Sequence, residues 1–260
     1  MTTPTPNPAE EVYAHIDAHT GYIVLNRPDK RNALTPAMLD LALAHLHTLL
    51  TPPPTGQPAC RAIILCGQGA VFCAGFDMQL VHNDPATLPA LLTGLSKLVR
   101  ALRRAPLPVI IAAHGGAVAG GCALLGGGDI IVTDRDAKLG YPVLKLGISP
   151  AVTIPALRQA LTDGQTRERV LDTDLITGQH AYDLGLAHVC CDIREDVLPA
   201  AQRIAKNLAN KPPHALAATK QLLNHLEGTD ADEPFDRALA ASLSLAGSPD
   251  QRARVAALWN

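Results

Sequence analysis

"AAHGGAVAGGCALLGGGD" runs from Ala112 to Asp129 and holds seven glycines, with no Asp, Glu, Lys or Arg before its last residue. It follows directly on the apolar run Val109-Ile110-Ile111. A backbone this bare suits a membrane span, a close-packed structural turn, or a helix start whose N–H groups face a ligand. The uncharged run from Ala105 to Gly128 is long enough to cross about 30 Å of hydrocarbon. Its content argues otherwise: two prolines at the start, a central histidine, the glycines, and no flanking aromatic belt. What remains is a strand, a Gly-rich turn, and a helix entered through Gly120-Gly121-Cys122-Ala123-Leu124-Leu125. The first turn of a helix leaves its N–H groups unpaired, and glycine lets an oxygen approach them closely.

The flanking sequence repeats the strand-to-helix pattern. Gly21–Leu25 and Arg61–Cys66 read as strands bounded by turn residues. Between them, Pro36–Leu50 has helical apolar spacing, with Thr35 as N-cap and Pro36 at the first helical position. Leu88–Leu102 reads as a helix, Pro108–Ala113 and Ile130–Val132 as strands. Such alternation predicts an α/β fold with crossover helices. Beyond about Val189 the strand signals stop, and helical segments follow over Glu195–Asn210, Pro213–Glu227, Glu233–Ala246 and Asp250–Leu258. The expected organisation is a disordered lead-in over residues 1–10, an α/β core over 11–194 and a helical region over 195–260. The segment Ala238-Leu239-Ala240-Ala241-Ser242-Leu243 is more apolar than a solvated helix needs and is the expected subunit contact.

Composition narrows the partners. A formal charge of −2 in 260 residues and only 3% aromatics provide neither a basic stripe nor stacking platforms, so nucleic acid is not an expected partner. The six cysteines lack the paired spacings of a zinc site and read as small core residues in a reducing compartment. MTTPTPNPAEE has neither the basic start nor the apolar stretch of a signal peptide. A cytoplasmic protein without a membrane partner is expected. Dinucleotide fingerprints, phosphate loops, the Gly-x-Ser-x-Gly elbow and His-Glu-x-x-His are all missing.

A second bare segment, Val71-Phe72-Cys73-Ala74-Gly75-Phe76-Asp77, follows strand 61–66. Taken alone, either segment is explained by tight turns and helix packing. Together they offer two N–H groups that can converge on one oxyanion.

These stretches, with Ile23–Pro28, Arg31–Leu34, Leu139–Pro142, Leu146–Pro150, Thr177-Gly178, Ala181 and Gly185-Leu186, resemble the enoyl-CoA hydratase/isomerase (crotonase) superfamily over nearly the whole chain. The resemblance implies a β-β-α spiral with a helical C-terminal trimerisation region, giving a homotrimer or a hexamer built as a dimer of trimers. It implies an acyl-CoA substrate, no separate cofactor and no metal. By motif it assigns the oxyanion-hole N–H groups to Phe76 and Gly120, and places CoA near Lys30, Arg31, Ala33, Ala74 and Met78.

The departures bear on the reaction. The family's two hydratase glutamates fall at Ala123 and Val143, which would instead line an apolar acyl pocket, and a third position used for an acid in some relatives is Ala151. Two-glutamate hydration therefore cannot be drawn on this sequence. Tyr141 and His82 are the nearest acid/base candidates by motif. The chemistry implied is enolate chemistry without a strong protein base, as in a decarboxylase-type or substrate-assisted lyase or isomerase. The alternative is a non-catalytic acyl-CoA-binding pseudoenzyme.

Overall fold

A computed structural model describes residues 10–52 and 59–259. The expected lead-in lies almost wholly outside the described residues. An antiparallel hairpin, β1 (Val12–Asp17) and β2 (Thr20–Leu25), opens the chain, followed by α1 (Pro36–Leu50), β3 (Ala62–Gly67), α2 (Met78–Asn83), α3 (Thr87–Arg104) and β4 (Val109–Ala113). Next come β5 (Gly116–Val118), α4 (Gly120–Leu124), β6 (Ile130–Asp134), β7 (Lys138–Gly140), α5 (Ile154–Ala160) and α6 (Asp163–Leu171). The remainder is β8 (Ile176–Thr177), α7 (Gly178–Leu184), β9 (Val189–Cys191) and the helices α8 (Val197–Ala209), α9 (Pro213–Glu227), α10 (Glu233–Leu243) and α11 (Pro249–Ala256).

The strands form a six-stranded sheet in the order β1-β2-β3-β4-β6-β9, parallel except for the β1–β2 edge, and a three-stranded sheet in the order β5-β7-β8. Strand alternation divides the large sheet's side chains between two cores. Ile23, Leu25, Ile63, Leu65, Val109 and Ile111 join the core that contains α1 and α3. Tyr22, Val24, Ala62, Ile64, Ile110 and Val132 join the one built on α8. Buried on both faces, β3 and β4 read as continuous apolar runs, as parallel strands do.

Local chemistry fixes the helices around this sheet. Thr35 caps α1, its Oγ1 accepting from the Met38 N–H at 3.1 Å, and Pro36 supplies a preset first turn. In α3, Leu88, Leu91, Leu92, Leu95, Leu98 and Leu102 recur at helical spacing and are all buried. Each such side chain contributes about 1.5–3 kcal/mol on burial. In α8, Ala200, Ala201, Ala205 and Ala209 lie against the sheet, and their small side chains allow close approach.

The sequence reading omitted β1, the small sheet, the edge strand β9 and the helices α2, α5, α6 and α7. Strands of two or three residues, such as β5, β7 and β8, are too short to show a period. The Ala238–Leu243 stretch divides its side chains, with Ala240 and Ala241 exposed. Leu239 and Leu243 pack against the chain's own core, and Leu222, Leu223 and Leu226 on α9 form a further exposed apolar face. No described helix is long and apolar enough to cross a membrane.

Candidate active site

The parallel strands bring their C-terminal ends to one side of the sheet, where the loops of open α/β folds gather binding groups. The chain leaving β3 carries Phe72–Asp77, and the chain leaving β4 carries Gly115–Gly120. Cys73 joins them: its N–H donates to the Gly116 carbonyl at 3.1 Å, and its carbonyl accepts from the Val118 N–H at 3.0 Å.

Phe76 is held from its other side by the loop before α1. The Leu34 N–H donates to the Gly75 carbonyl at 2.7 Å, and the Leu34 carbonyl accepts from the Asp77 N–H at 2.9 Å. This isolated parallel bridge takes the peptide groups on either side of Phe76. Phe76's own N–H is directed away from Leu34 and has no acceptor among the described residues. Gly75 makes the close approach possible, with φ at +102° and the position of a Cβ only 3.0 Å from the Val118 carbonyl and 3.6 Å from the Gly120 nitrogen. Any side chain there would force the two segments apart.

On the facing segment, Ala119 has φ 53° and ψ −115°, a conformation costly for a residue with a Cβ. It is pinned by its N–H, which donates to the Gly140 carbonyl at 2.8 Å, and by its own carbonyl, which accepts from the Ala123 N–H at 2.9 Å. The sharp turn at Ala119 opens α4 at Gly120, whose N–H has no acceptor among the described residues. A Cβ on Gly120 would lie 2.8 Å from Phe76 Cε1. Both bare N–H groups thus belong to neighbouring residues on two strand-end segments.

Phe76, Gly120, Ala123, Tyr141 and Val143 line one narrow cavity, with Leu92 and Leu95 of α3 and with Ile148, Val152 and Thr153. None of its lining side chains is a carboxylate. Tyr141 is buried, and its hydroxyl is 3.5 Å from the Cys122 carbonyl and accepts from Thr153 Oγ1 at 3.3 Å. Burial, with the Cys122 thiol beside it, pushes its pKa well above the ordinary value of 10.0. It stays protonated at neutral pH, able to donate a hydrogen bond and unsuited to act as a base. Burial likewise pushes the Cys73 thiol up to about 12 and the Cys122 thiol to about 11, so neither is a thiolate nucleophile.

His82 is outside this cavity. It is exposed near the end of α2, and its ring stacks on Trp259 with centroids 4.8 Å apart. Lys30 and Arg31 are exposed, and their side chains form no hydrogen bond or ion pair among the described residues. The backbone beside them runs along the Phe76 segment, with the Ala74 N–H donating to the Arg31 carbonyl at 2.9 Å. Ala33, Ala74 and Met78 are half-buried along that seam. Asp77 is structural: it caps α2 and pairs with Arg27 at 3.1 Å. Asp129 is structural as well, accepting from the Val109 N–H at 2.7 Å and from Lys220 Nζ at 2.6 Å.

Three contributors were given no role by the sequence reading. Asn32, fully buried, accepts from the Arg27 N–H at 2.8 Å and donates to the carbonyls of Gln68, Val71 and Phe72 at 2.8–3.1 Å, tying the two loops together. Thr153 supplies the only hydroxyl bonded to Tyr141 among the described residues. Ser242 on α10, buried, donates to the Ser149 carbonyl and accepts from the Val152 N–H, both at 3.0 Å, fixing the 3-10 turn Pro150–Thr153 that borders the cavity. No group of three or more metal-ligating side chains occurs among the described residues.

Comparison with known proteins follows the same lines. The sequence profile of the enoyl-CoA hydratase/isomerase family matches residues 15–251. The 1,2-epoxyphenylacetyl-CoA isomerase of Escherichia coli K12 is 31% identical over 235 residues, 87% of each chain. The mitochondrial Delta(3,5)-Delta(2,4)-dienoyl-CoA isomerase of Mus musculus is 26% identical over 246 residues, covering 89% of this chain and 74% of that one. Among solved structures, an enoyl-CoA hydratase/isomerase from Mycobacterium paratuberculosis superposes with a TM-score of 0.83 at 28% identity, covering 95% of this chain and 98% of that chain.

Proposed function

We propose, from the premise that this chain belongs to the enoyl-CoA hydratase/isomerase family, that it binds an acyl-CoA with the thioester oxygen between the N–H groups of Phe76 and Gly120. The observation that carries this reading is the paired bare N–H groups at the mouth of an apolar cavity. Removing one such donor costs about 10²–10³-fold in kcat, or roughly 3 kcal/mol. The charge that builds on the thioester oxygen when an enolate forms is what the pair stabilises.

The same cavity limits the chemistry. Water addition needs a base to orient water and an acid to protonate carbon, and Ala123 and Val143 supply neither. Tyr141 serves as a hydrogen-bond donor toward the acyl group. His82, stacked on Trp259 away from the cavity, is set aside. The favoured reaction is one in which the substrate itself provides the electrons of the enolate, by loss of carbon dioxide or through its own basic group. An apolar cavity without acids also suits a protein that only binds acyl-CoA, and turnover separates the two.

Gly120→Pro removes one donor and also distorts the helix start, where a Cβ would lie 2.8 Å from Phe76 Cε1, so folding is checked first. In a variant whose circular dichroism and melting match the natural protein, thioester affinity should fall about tenfold or more. Unchanged affinity in that folded variant would refute the assignment of Gly120.

A further inference from the structure

Behind the thioester cavity is a second chamber of about 180 Å³, and Tyr141 and Thr153 line both. The wall between them is thus these two side chains: Thr153 Oγ1 donates to the Tyr141 hydroxyl at 3.3 Å, and that hydroxyl donates to the Cys122 carbonyl at 3.5 Å, both long for O–H···O bonds and cheap to break. The far side is polar, unlike the thioester cavity. His188 lines it, and its Nδ1 accepts from the Ile131 N–H at 2.9 Å. A backbone amide can only donate, so the neutral ring carries its proton on Nε2, which has no partner among the described residues. Burial and the nearby Arg103 lower the His188 pKa, which agrees with a neutral ring.

Arg103, also in the lining, uses its two terminal nitrogens on the Gly128 carbonyl and Glu227, leaving Nε buried without a partner among the described residues. The charges are already balanced: Arg103 is paired with Glu227, and Asp129 with Lys220. Asp129 Oδ1 and Glu227 Oε1 accept nothing among the described residues. The chamber therefore offers unfilled donors and unfilled acceptors with no excess charge. A group that both donates and accepts while remaining neutral satisfies it, whereas a carboxylate would face Glu227 and Asp129.

We propose that this chamber is a subsite for the far end of the acyl chain, taking a neutral hydroxyl or amide once the Tyr141–Thr153 wall swings aside, so that the substrates are acyl-CoA thioesters with a polar, uncharged tail. This rests on the thioester reading above and names the substrate class of that site. Reach from the thioester is set by chain length, so short acyl groups occupy the front cavity alone.

The test compares the dissociation constants of butyryl-CoA, octanoyl-CoA, omega-hydroxyoctanoyl-CoA and suberyl-CoA, measured by calorimetry. The hydroxyl-ended thioester should bind about tenfold or more tightly than the methyl-ended and carboxyl-ended chains of equal length. Ala160, half-buried in the chamber lining, provides the control. Ala160→Leu narrows the chamber while leaving every polar side chain of its lining in place, and should abolish the hydroxyl preference while leaving butyryl-CoA affinity unchanged. Equal affinities across the longer thioesters, or a hydroxyl preference that survives Ala160→Leu, would overturn the subsite. Failure of butyryl-CoA itself to bind would instead refute the thioester reading on which it stands.

Discussion

At the scale of single residues, function turns on what the chain lacks at two positions and what it bares at two others. Ala123 and Val143 face the same cavity as the Phe76 and Gly120 backbone, so on the proposed reading the site polarises a carbonyl and supplies no carboxylate for proton transfer. The natural protein should hydrate crotonyl-CoA slowly or not at all, as followed by loss of enoyl absorbance. Ala123→Glu with Val143→Glu should raise that rate, each acid or base ordinarily contributing about 10²–10⁴-fold, and the two should act jointly because they would hold one water. Hydration at ordinary enzymatic rates by the unmodified protein would mean that another group supplies the base. The two glycine-rich, uncharged strand ends were legible in the sequence, and their pairing across Cys73 is where the structure brings them together. The roles of Thr153 and Ser242 were not legible, since a polar residue acting through one or two hydrogen bonds has no period and no spacing, and Asn32 stood within a matching stretch without its bonds across the two loops being visible.

At the scale of elements, the cavity depends on parts distant in sequence. The turn Pro150–Thr153 presents Val152 and Thr153 to the cavity, and Ser242 on α10 ties it down with a bond in each direction. Ser242→Ala leaves a buried N–H and a carbonyl short of partners, which costs about 1–3 kcal/mol. Urea unfolding should show a loss of that size, and thioester affinity should fall with it because the wall loosens. An intact affinity at the lower stability would show that the turn holds its place without α10. The long elements followed directly from the sequence: Thr35 and Pro36 announce α1, and the leucine spacing announces α3. The small sheet did not, because its pairing is set by the β4–β5 and β6–β7 turns rather than by hydrophobic alternation.

At the scale of the whole molecule, the two cores place all parallel strand ends on one side, and that arrangement aligns the Phe76 and Gly120 segments. The surface has its own asymmetry. Leu222, Leu223 and Leu226 on α9 are 57%, 51% and 73% exposed, an apolar face that a solvated helix does not need. We expect this face to be covered by another copy of the chain. Sedimentation at micromolar concentration should show an assembly of several 27.3 kDa chains, dissociated by Leu223→Glu. A monomer under those conditions would contradict it.

The thioester carbonyl itself reports most directly on the paired N–H groups. In an infrared difference spectrum with carbon-13 at the carbonyl of bound crotonyl-CoA, two hydrogen bonds in a dry cavity should move the C=O stretch below its frequency in water, and Gly120→Pro should return part of that shift. A bound thioester whose carbonyl stretches as it does in water, or whose shift is the same in the variant, would contradict the placement of its oxygen between Phe76 and Gly120.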